Sequence, residues 1–262
     1  MKSSIKLTTY LNAVLVYFIL FYSTSLFART YTETFDVSLG GQLTIQTDKG
    51  SINIETHDEA TIKLKIKIED KKDNEFSYHY KLSNGNLTII GEIERKYKSL
   101  KNSRVEFNLL IPKNYNVELD TSGGALSIED LTGELNARTS GGSITVSHII
   151  GNVTLRTSGG SIKTDAVSGH LNAHTSGGSI KVTVDKQLTQ DAKLTTSGGS
   201  ITAYLIPDIR LDISASTSGG RVKSDFEIDG KVKKMSVRGS INGGGPKLTL
   251  KTSGGSIKIK EI

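Results

Sequence analysis

The tetrapeptide Thr-Ser-Gly-Gly recurs seven times in the second half of the chain, and this repeat restricts the fold more than any other feature. Successive copies are 18, 18, 18, 21, 21 and 35 residues apart, and an apolar residue follows each threonine by five positions. The last interval holds a degenerate copy, Arg238–Ile241, which brings the predicted repeats to eight. A period near 20 residues with a fixed turn is typical of a solenoid. The seven motifs begin at Thr121, Thr139, Thr157, Thr175, Thr196, Thr217 and Thr252.

Each repeat contains two short runs in which apolar and polar residues alternate. In residues 143–160, Ile144 and Val146 belong to one run, and Val153 and Leu155 belong to the next. Alternation with period 2 between glycines predicts β-strands. The predicted fold is all-β: a single-stranded parallel β-helix (β-solenoid) of about eight coils of 16–21 residues. Equivalent residues of successive coils then lie about 4.8 Å apart.

The paired glycines of the repeat predict the corners of these coils. Glycine adopts positive φ without a steric penalty and allows coils to approach closely. The repeated threonine has the parity of the inward residues, so we expect Thr and Ser hydroxyls to hydrogen-bond to one another along the stack. The alternative interpretation is a ligand-binding motif. The predicted structural turn glycines are Gly123, Gly124, Gly141, Gly142, Gly159, Gly160, Gly177, Gly178, Gly198, Gly199, Gly219, Gly220, Gly254 and Gly255.

The sequence before the repeats has longer alternating runs and predicts a partly antiparallel β cap over residues 29–115, followed by the solenoid over 116–262. Asn84-Gly85 between two such runs is a strong signal for a β-hairpin. Residues 47–52 resemble a weak copy of the repeat. A cap is expected because the open end of a solenoid exposes unpaired strand edges.

Residues 1–28 are typical of a secretory signal peptide. Lys2 and Lys6 precede an apolar run over residues 13–22, and small residues lead to Ala28, the expected cleavage site. The apolar run is short for a membrane span, which needs about 20 residues. We therefore expect an exported protein of the periplasm or cell surface, with no transmembrane segment after signal cleavage.

Composition excludes several kinds of chemistry. The chain has no cysteine, which excludes disulfides, thiolate catalysis and cysteine-ligated metals. Its formal charge of +6 is mild, and nucleic acid is not an expected partner. His170 and His174 have a metal-like spacing, but only on a helix would they share a face. We expect no cofactor, no metal site and no catalytic residues, because no carboxylate pair recurs and the connections are too short for a deep pocket.

Stacking turns a column of the repeat alignment into a line on the surface. The residues before three successive Thr-Ser-Gly-Gly motifs are Arg138, Arg156 and His174, which predicts a basic column. A second column, after the repeated apolar residue, contains Lys163, Lys181 and Lys223. Like charges about 4.8 Å apart are unfavourable unless they are solvated or paired with anions. These residues are candidate contacts for an acidic polymer, and the alternative is a solvated face that keeps the protein soluble.

Several segments carry a resemblance to a known family. The stretch VEFNLLIPKNYNVELDTSGG (residues 105–124) and the SGGSI coils separated by G-x-L-x-A resemble the bacterial putative adhesin family, a domain of unknown function related to the GIN head domain. The resemblance covers roughly residues 35–262. It implies a β-solenoid of the cell envelope with a role in adhesion, and it transfers no catalytic or binding residues.

The sequence thus predicts a non-catalytic, exported surface-interaction module whose partner is an unknown cell-surface or cell-wall component, such as a polysaccharide. Two alternatives remain. One is a periplasmic module that binds or cleaves acidic polysaccharide. The other is an accessory protein of the envelope-stress response.

Overall fold

The computed structural model describes residues 27–70, 76–94 and 103–262. Within these ranges the chain forms 23 β-strands and no helix, which confirms the all-β class. The predicted signal peptide lies outside the described residues except for its last two, Phe27 and Ala28, which begin the first strand.

The segment before the repeats contributes seven strands. They are longer than most strands of the repeats because this part of the chain has few turn residues. The strands are β1 (Phe27–Asp36), β2 (Gln42–Thr47), β3 (Ser51–His57), β4 (Thr61–Asp70), β5 (Phe76–Ser83), β6 (Asn86–Ile93) and β7 (Arg104–Pro112).

The repeats contribute sixteen further strands, most of them bounded by the glycine-containing corners. They are β8 (Asn116–Thr121), β9 (Leu126–Glu129), β10 (Leu135–Thr139), β11 (Ile144–Ile150), β12 (Val153–Thr157), β13 (Ile162–Ser168), β14 (Leu171–Thr175), β15 (Ile180–Val184), β16 (Ala192–Thr196), β17 (Ile201–Leu205), β18 (Leu211–Thr217), β19 (Val222–Ser224), β20 (Asp229–Lys233), β21 (Ser236–Ile241), β22 (Lys247–Thr252) and β23 (Ile257–Glu261).

The strands form two sheets that enclose one core, and each coil gives one strand to each sheet. Sheet 1 has the order β1-β4-β7-β3-β9-β11-β13-β15-β17-β23-β19. Sheet 2 has the order β20-β21-β18-β22-β16-β14-β12-β10-β8-β2-β6-β5. Strands of neighbouring coils pair in parallel, and Ile144, Ile162 and Ile180 are register partners with buried side chains. The predicted β-solenoid and its stacking are therefore confirmed.

The parallel stack extends into the segment for which a cap was predicted. β2 pairs in parallel with β8, and β3 pairs in parallel with β9, so residues 42–57 form a full coil. Ile52, in the weak copy of the repeat, is the register partner of Leu126. Antiparallel pairs involving β1, β4 and β5 lie at the end of the stack. The β5–β6 hairpin turns at Asn84 and Gly85, whose φ angles of 51° and 74° match a type I′ turn.

At the other end, the coils do not stack in chain order. The last coil, β22 and β23, lies between the coil of β16 and β17 and the coil of β18 and β19. The degenerate copy at Arg238–Ile241 is not a coil, and that prediction was wrong. It lies in β21, which pairs antiparallel with β18 and β20 because a hairpin occupies the long interval between the last two motifs. Residues 42–57 supply a coil that the repeats did not predict, and β6 and β7 form a further parallel layer beyond it.

The core consists of inward columns of aliphatic side chains. One column of sheet 2 contains Ala137, Leu155, Ala173, Leu194 and Leu250, all buried. Small and large residues alternate from Ala137 to Leu194, and Leu250 then adds a second large residue beside Leu194. Burial of an aliphatic side chain contributes about 1.5–3 kcal/mol, so each coil is stabilised mainly by contact with its neighbours.

Candidate functional site

The Thr-Ser-Gly-Gly corner is a hydrogen-bonded unit that repeats from coil to coil. The Thr157 hydroxyl donates to the carbonyl oxygen of Gly142 in the preceding coil at 2.8 Å, and the Gly160 N–H donates to the Thr157 oxygen at 3.2 Å. The expectation that the hydroxyls bond to one another was wrong. The threonine hydroxyl reaches a glycine carbonyl of the preceding coil because no side chain stands between them. Equivalent bonds are made by Thr139, Thr175, Thr196, Thr252 and Thr217.

The two glycines of each motif meet different surroundings. A Cβ on Gly142 would lie 1.8 Å from the Gly124 carbonyl oxygen, whereas a Cβ on Gly141 would meet nothing closer than 3.9 Å. Of the fourteen predicted turn glycines, only Gly124 has a positive φ. Close approach between coils, rather than positive φ, is therefore the reason for glycine at most second positions. The motif builds a corner in every coil and presents its serine to solvent.

The first predicted column lies on the outer face of sheet 2. Arg138 is the register partner of Arg156, and Arg156 is the partner of His174. All three side chains are exposed. Asp120 precedes the column and Thr195 follows it, and His174 Nδ1 lies 2.9 Å from Thr195 Oγ1.

The second predicted column lies on the outer face of sheet 1 and is interrupted. Lys163 and Lys181 are register partners, but Thr202 and Lys258 lie between Lys181 and Lys223. The three predicted lysines therefore share one column, with the last coil inserted just before Lys223. Lys258, which sequence reasoning missed, is the register partner of Lys223.

The two adjacent lysines of this column each contact a neighbouring side chain. Lys163 forms an ion pair of 2.9 Å with Asp165, and Lys181 lies 4.8 Å from the centre of the Tyr204 ring. Burial raises the pKa of Asp165, but hydrogen bonds from Thr183 and Lys163 and the charges of Lys163 and Lys181 outweigh it, so the pKa is lowered overall. These lysines are thus less available to a ligand than the residues on sheet 2.

The basic surface on sheet 2 is longer than the sequence predicted. Two adjacent outward columns, from β10 to β20, contain only basic and neutral residues. They extend over eight strands, or about 34 Å at the usual strand spacing. We call this surface the basic face. Its basic members are Arg138, Arg156, His174, Lys193, Lys251, Arg238, Lys231 and Lys233.

Only some of the basic residues that sequence reasoning missed could have been found from the repeat alignment. Lys251 precedes a Thr-Ser-Gly-Gly motif and Lys193 lies two residues earlier in its own repeat, so both were readable from the alignment. Lys231 and Arg238 belong to the hairpin of β20 and β21, whose antiparallel pairing the repeat pattern does not predict.

The basic face has few local counter-charges. Among the residues that the structure describes, none of its eight basic side chains forms an ion pair with an acidic residue. The next column does contain acidic residues: Asp191 accepts a hydrogen bond from the Lys247 N–H, Asp212 accepts one from the Ser240 hydroxyl, and Asp229 is the register partner of Ser240. Cross-strand partners Lys231 and Arg238 carry like charges, an arrangement that an anionic partner relieves.

Within the described part of the chain, no group of three or more His, Asp or Glu side chains is placed to hold a metal ion. His170 and His174 lie at a corner and on β14, outside any such group. Among the residues that the structure describes, no helix is long and apolar enough to cross a membrane.

The molecule is a two-sheet β-solenoid with repeated corners. Residues 150–260 match the family model described as Toastrack DUF4097, which confirms the resemblance to a family of unknown function over the C-terminal coils. No curated protein has a sequence that matches this chain.

Solved structures with a similar arrangement are named for adhesion. A "putative cell adhesion protein" from Clostridium sporogenes ATCC 15579 is 16% identical, with 89% of this chain and 100% of that chain covered and a TM-score of 0.40. A "putative adhesin" from Bacteroides fragilis NCTC 9343 is 13% identical, with 89% and 97% covered and a TM-score of 0.44. These scores are too low for either likeness to carry an argument about this chain.

Proposed function

We propose that this chain is an exported, non-catalytic module that adheres to a cell-surface or cell-wall component through its outer sheet faces. The observation that carries the proposal is the register, which repeats the same outward positions from coil to coil along the stack. A partner that is itself repetitive meets equivalent groups at regular intervals on such a face. Many weak contacts of this kind add up through effective concentration.

The form of the corners also favours adhesion over catalysis. In the central coils a corner of about four residues, such as 140–143, joins the two sheets. Connections of this length leave the outer faces flat, whereas a substrate is usually enclosed in a concave pocket.

A second candidate function, binding of acidic polysaccharide, is favoured by the basic face. Its eight basic side chains repeat at strand spacing with few counter-charges nearby, so a polyanion lying along the stack neutralises several of them at once. The contacts are exposed, and binding should therefore weaken steeply as salt is added.

One retention experiment tests both candidates. The purified protein is immobilised and incubated with polygalacturonate, with alginate and with neutral dextran, and both retention and polymer length are measured. We expect retention of the acidic polymers without shortening, and loss of most retention in an Arg138→Ser/Arg156→Ser variant. The matched control, Lys65→Ser/Lys81→Ser, removes the same charge from exposed positions outside the basic face.

The outcomes separate the hypotheses. Shortening of a polymer would overturn the non-catalytic assignment. Equal retention by the two double variants would exclude the basic face as the contact. If no acidic polymer is retained, the second candidate fails, and binding of the protein to intact cell-wall preparations then tests adhesion alone.

Export is tested on the protein recovered from cells. Cleavage after Ala28 makes Arg29 the first residue and leaves residues 29–36 of β1 to pair with β4. The measurement is the intact mass of the protein in the envelope and extracellular fractions. A full-length mass, or confinement to the cytoplasm, would contradict the proposal.

A further inference from the structure

A groove lies at the end of the stack opposite the hairpin of β20 and β21. Here β1 is the outermost strand of sheet 1 and β5 is the outermost strand of sheet 2. Between their inward faces is a cavity of about 490 Å³, lined by residues of both strands and by Ile68 of β4. This volume is in the range that binds small molecules.

Aromatic side chains form the walls of the groove and join the two sheets. Tyr31 and Tyr78 pack edge to face with ring centres 5.4 Å apart, and Phe35 and Tyr80 do so at 4.8 Å. Phe76 is buried at the floor beside Ile68. These ring pairs connect the two outermost strands across the groove.

The tyrosines here are exposed to an unusual degree for large aromatic residues. Tyr31 is 37% exposed and Tyr80 is 45% exposed, whereas Tyr115 and Phe107 are buried in the core. Tyrosine offers a flat apolar ring and a hydroxyl, so these two exposed residues and the half-buried Tyr78 provide both a stacking surface and hydrogen-bonding groups.

The polar groups around the rings carry both signs of charge. Arg29 lines the groove, and Glu33 lies on the same face of β1 and acts on Tyr78. Burial first, and then the negative charge of Glu33, raises the pKa of Tyr78. A strongly charged ligand of either sign is attracted by one of these two residues and repelled by the other, so its charge adds little to its affinity.

We propose that this groove binds a neutral sugar ring, with Tyr31 and Tyr80 as stacking surfaces and Tyr78 as a hydrogen-bonding group. A sugar ring has an apolar face of C–H groups and a rim of hydroxyls, which matches aromatic walls with polar groups at their edges. The site lies on the cap and shares no residue with the basic face. This proposal can therefore be tested independently of the binding of acidic polymers.

The test uses tyrosine as the reporter, since the chain has nine tyrosines and no tryptophan. The protein is labelled with 3-fluorotyrosine, and individual resonances are assigned with Tyr→Phe variants. Cellotetraose and tetra-N-acetylchitotetraose are added in turn, and fluorine NMR is recorded. We expect at least one of these neutral sugars to shift the resonances of Tyr31 and Tyr80 while leaving Tyr204, on the far-off outer face of sheet 1, unchanged.

Affinity is then measured by calorimetry on substituted proteins. Tyr31→Ala and Tyr80→Ala should each weaken sugar binding about tenfold, as expected for loss of an aromatic anchor. Tyr204→Ala, the matched control, should bind as the original protein does. If an alanine variant does not fold, the NMR shifts of the unaltered chain still decide the question.

Three results would overturn the proposal. The first is that neither neutral sugar shifts the groove resonances. The second is that tetragalacturonate or a blocked Val-Thr-Val-Thr-Val peptide shifts them while the neutral sugars do not. The third is that sugar binds with the same affinity to the Tyr31→Ala, Tyr80→Ala and Tyr204→Ala variants.

Discussion

At the scale of single residues, the two glycines of the corner motif have different structural roles. The second glycine lies against the carbonyl of the coil below, and the first faces open space in the early coils. We expect Gly142→Ala to destabilise the protein by about 2–4 kcal/mol, because the added Cβ forces two coils apart. Denaturant unfolding, with fluorescence as the signal, measures the loss.

The neighbouring glycine supplies the control for this experiment. Gly141→Ala should change stability by no more than about 0.5 kcal/mol, since its Cβ points into free space. Equal destabilisation by the two substitutions would show that backbone conformation, rather than contact between coils, requires glycine here.

One threonine of the core has no partner for its hydroxyl. Thr164 is buried, its Oγ1 makes no hydrogen bond, and its register partners are Val146 and Val182. Thr164→Val should therefore stabilise the protein by about 1 kcal/mol, because a buried unpaired hydroxyl is costly. Thermal unfolding measures the gain.

The same substitution should have the opposite sign at a corner. Thr157→Val removes a hydroxyl that bonds to both Gly142 and Gly160, so we expect a loss of about 1–3 kcal/mol. A decrease in stability for Thr164→Val would mean that its hydroxyl has a partner in solution.

At the scale of strands, protection should depend on position in the stack. β13 has parallel neighbours on both sides, whereas β19 has three residues and pairs only with β23. We expect the amides of β19 to exchange with deuterium on the order of 100-fold faster than those of β13, because an edge strand opens without breaking the stack. Mass spectrometry of peptides checks this, and uniform exchange along the stack would contradict it.

The strands were predictable wherever the local pattern decides the structure. Alternation and glycine spacing gave the coils around Ile144, Ile162 and Ile180, and Asn84-Gly85 gave the hairpin. The position of Lys258 beside Lys223 was not predictable, because it depends on which coil lies next to which, and neighbours along the stack need not be neighbours in sequence. Likewise, the groove at Tyr31 and Tyr80 arises from two strands that the sequence separates and the fold brings together.

At the scale of the whole molecule, the C-terminal coil holds one end of the solenoid together. Leu248, Leu250, Ile257 and Ile259 are fully buried between neighbouring coils. At about 1.5–3 kcal/mol each, their burial contributes about 6–12 kcal/mol, an amount comparable to the net stability of a domain. Removal of this coil leaves unpaired edges on β16, β17 and β18 and takes away the only pairing partner of β19.

A truncated protein ending at Pro246 should therefore unfold partly or aggregate, and a synthetic peptide of residues 247–262 should bind to it and restore folding. Circular dichroism and light scattering follow both effects. In the full chain, Ile257→Asp should reproduce the defect while Ile262→Asp, at a position 59% exposed, should not. A truncated protein as stable as the full chain would show that the inserted coil is dispensable.

The inserted coil also has a consequence for how the molecule is made. A nascent chain leaves the ribosome with its first residues leading. The layers from β8 to β17 can assemble one after another as they emerge, but the layer of β18 and β19 lacks its neighbour until residues 247–262 arrive. Completion of this end of the solenoid therefore waits for β22 and β23, so a halt in synthesis before Lys247 would leave the layer of β18 and β19 detached from the earlier layers.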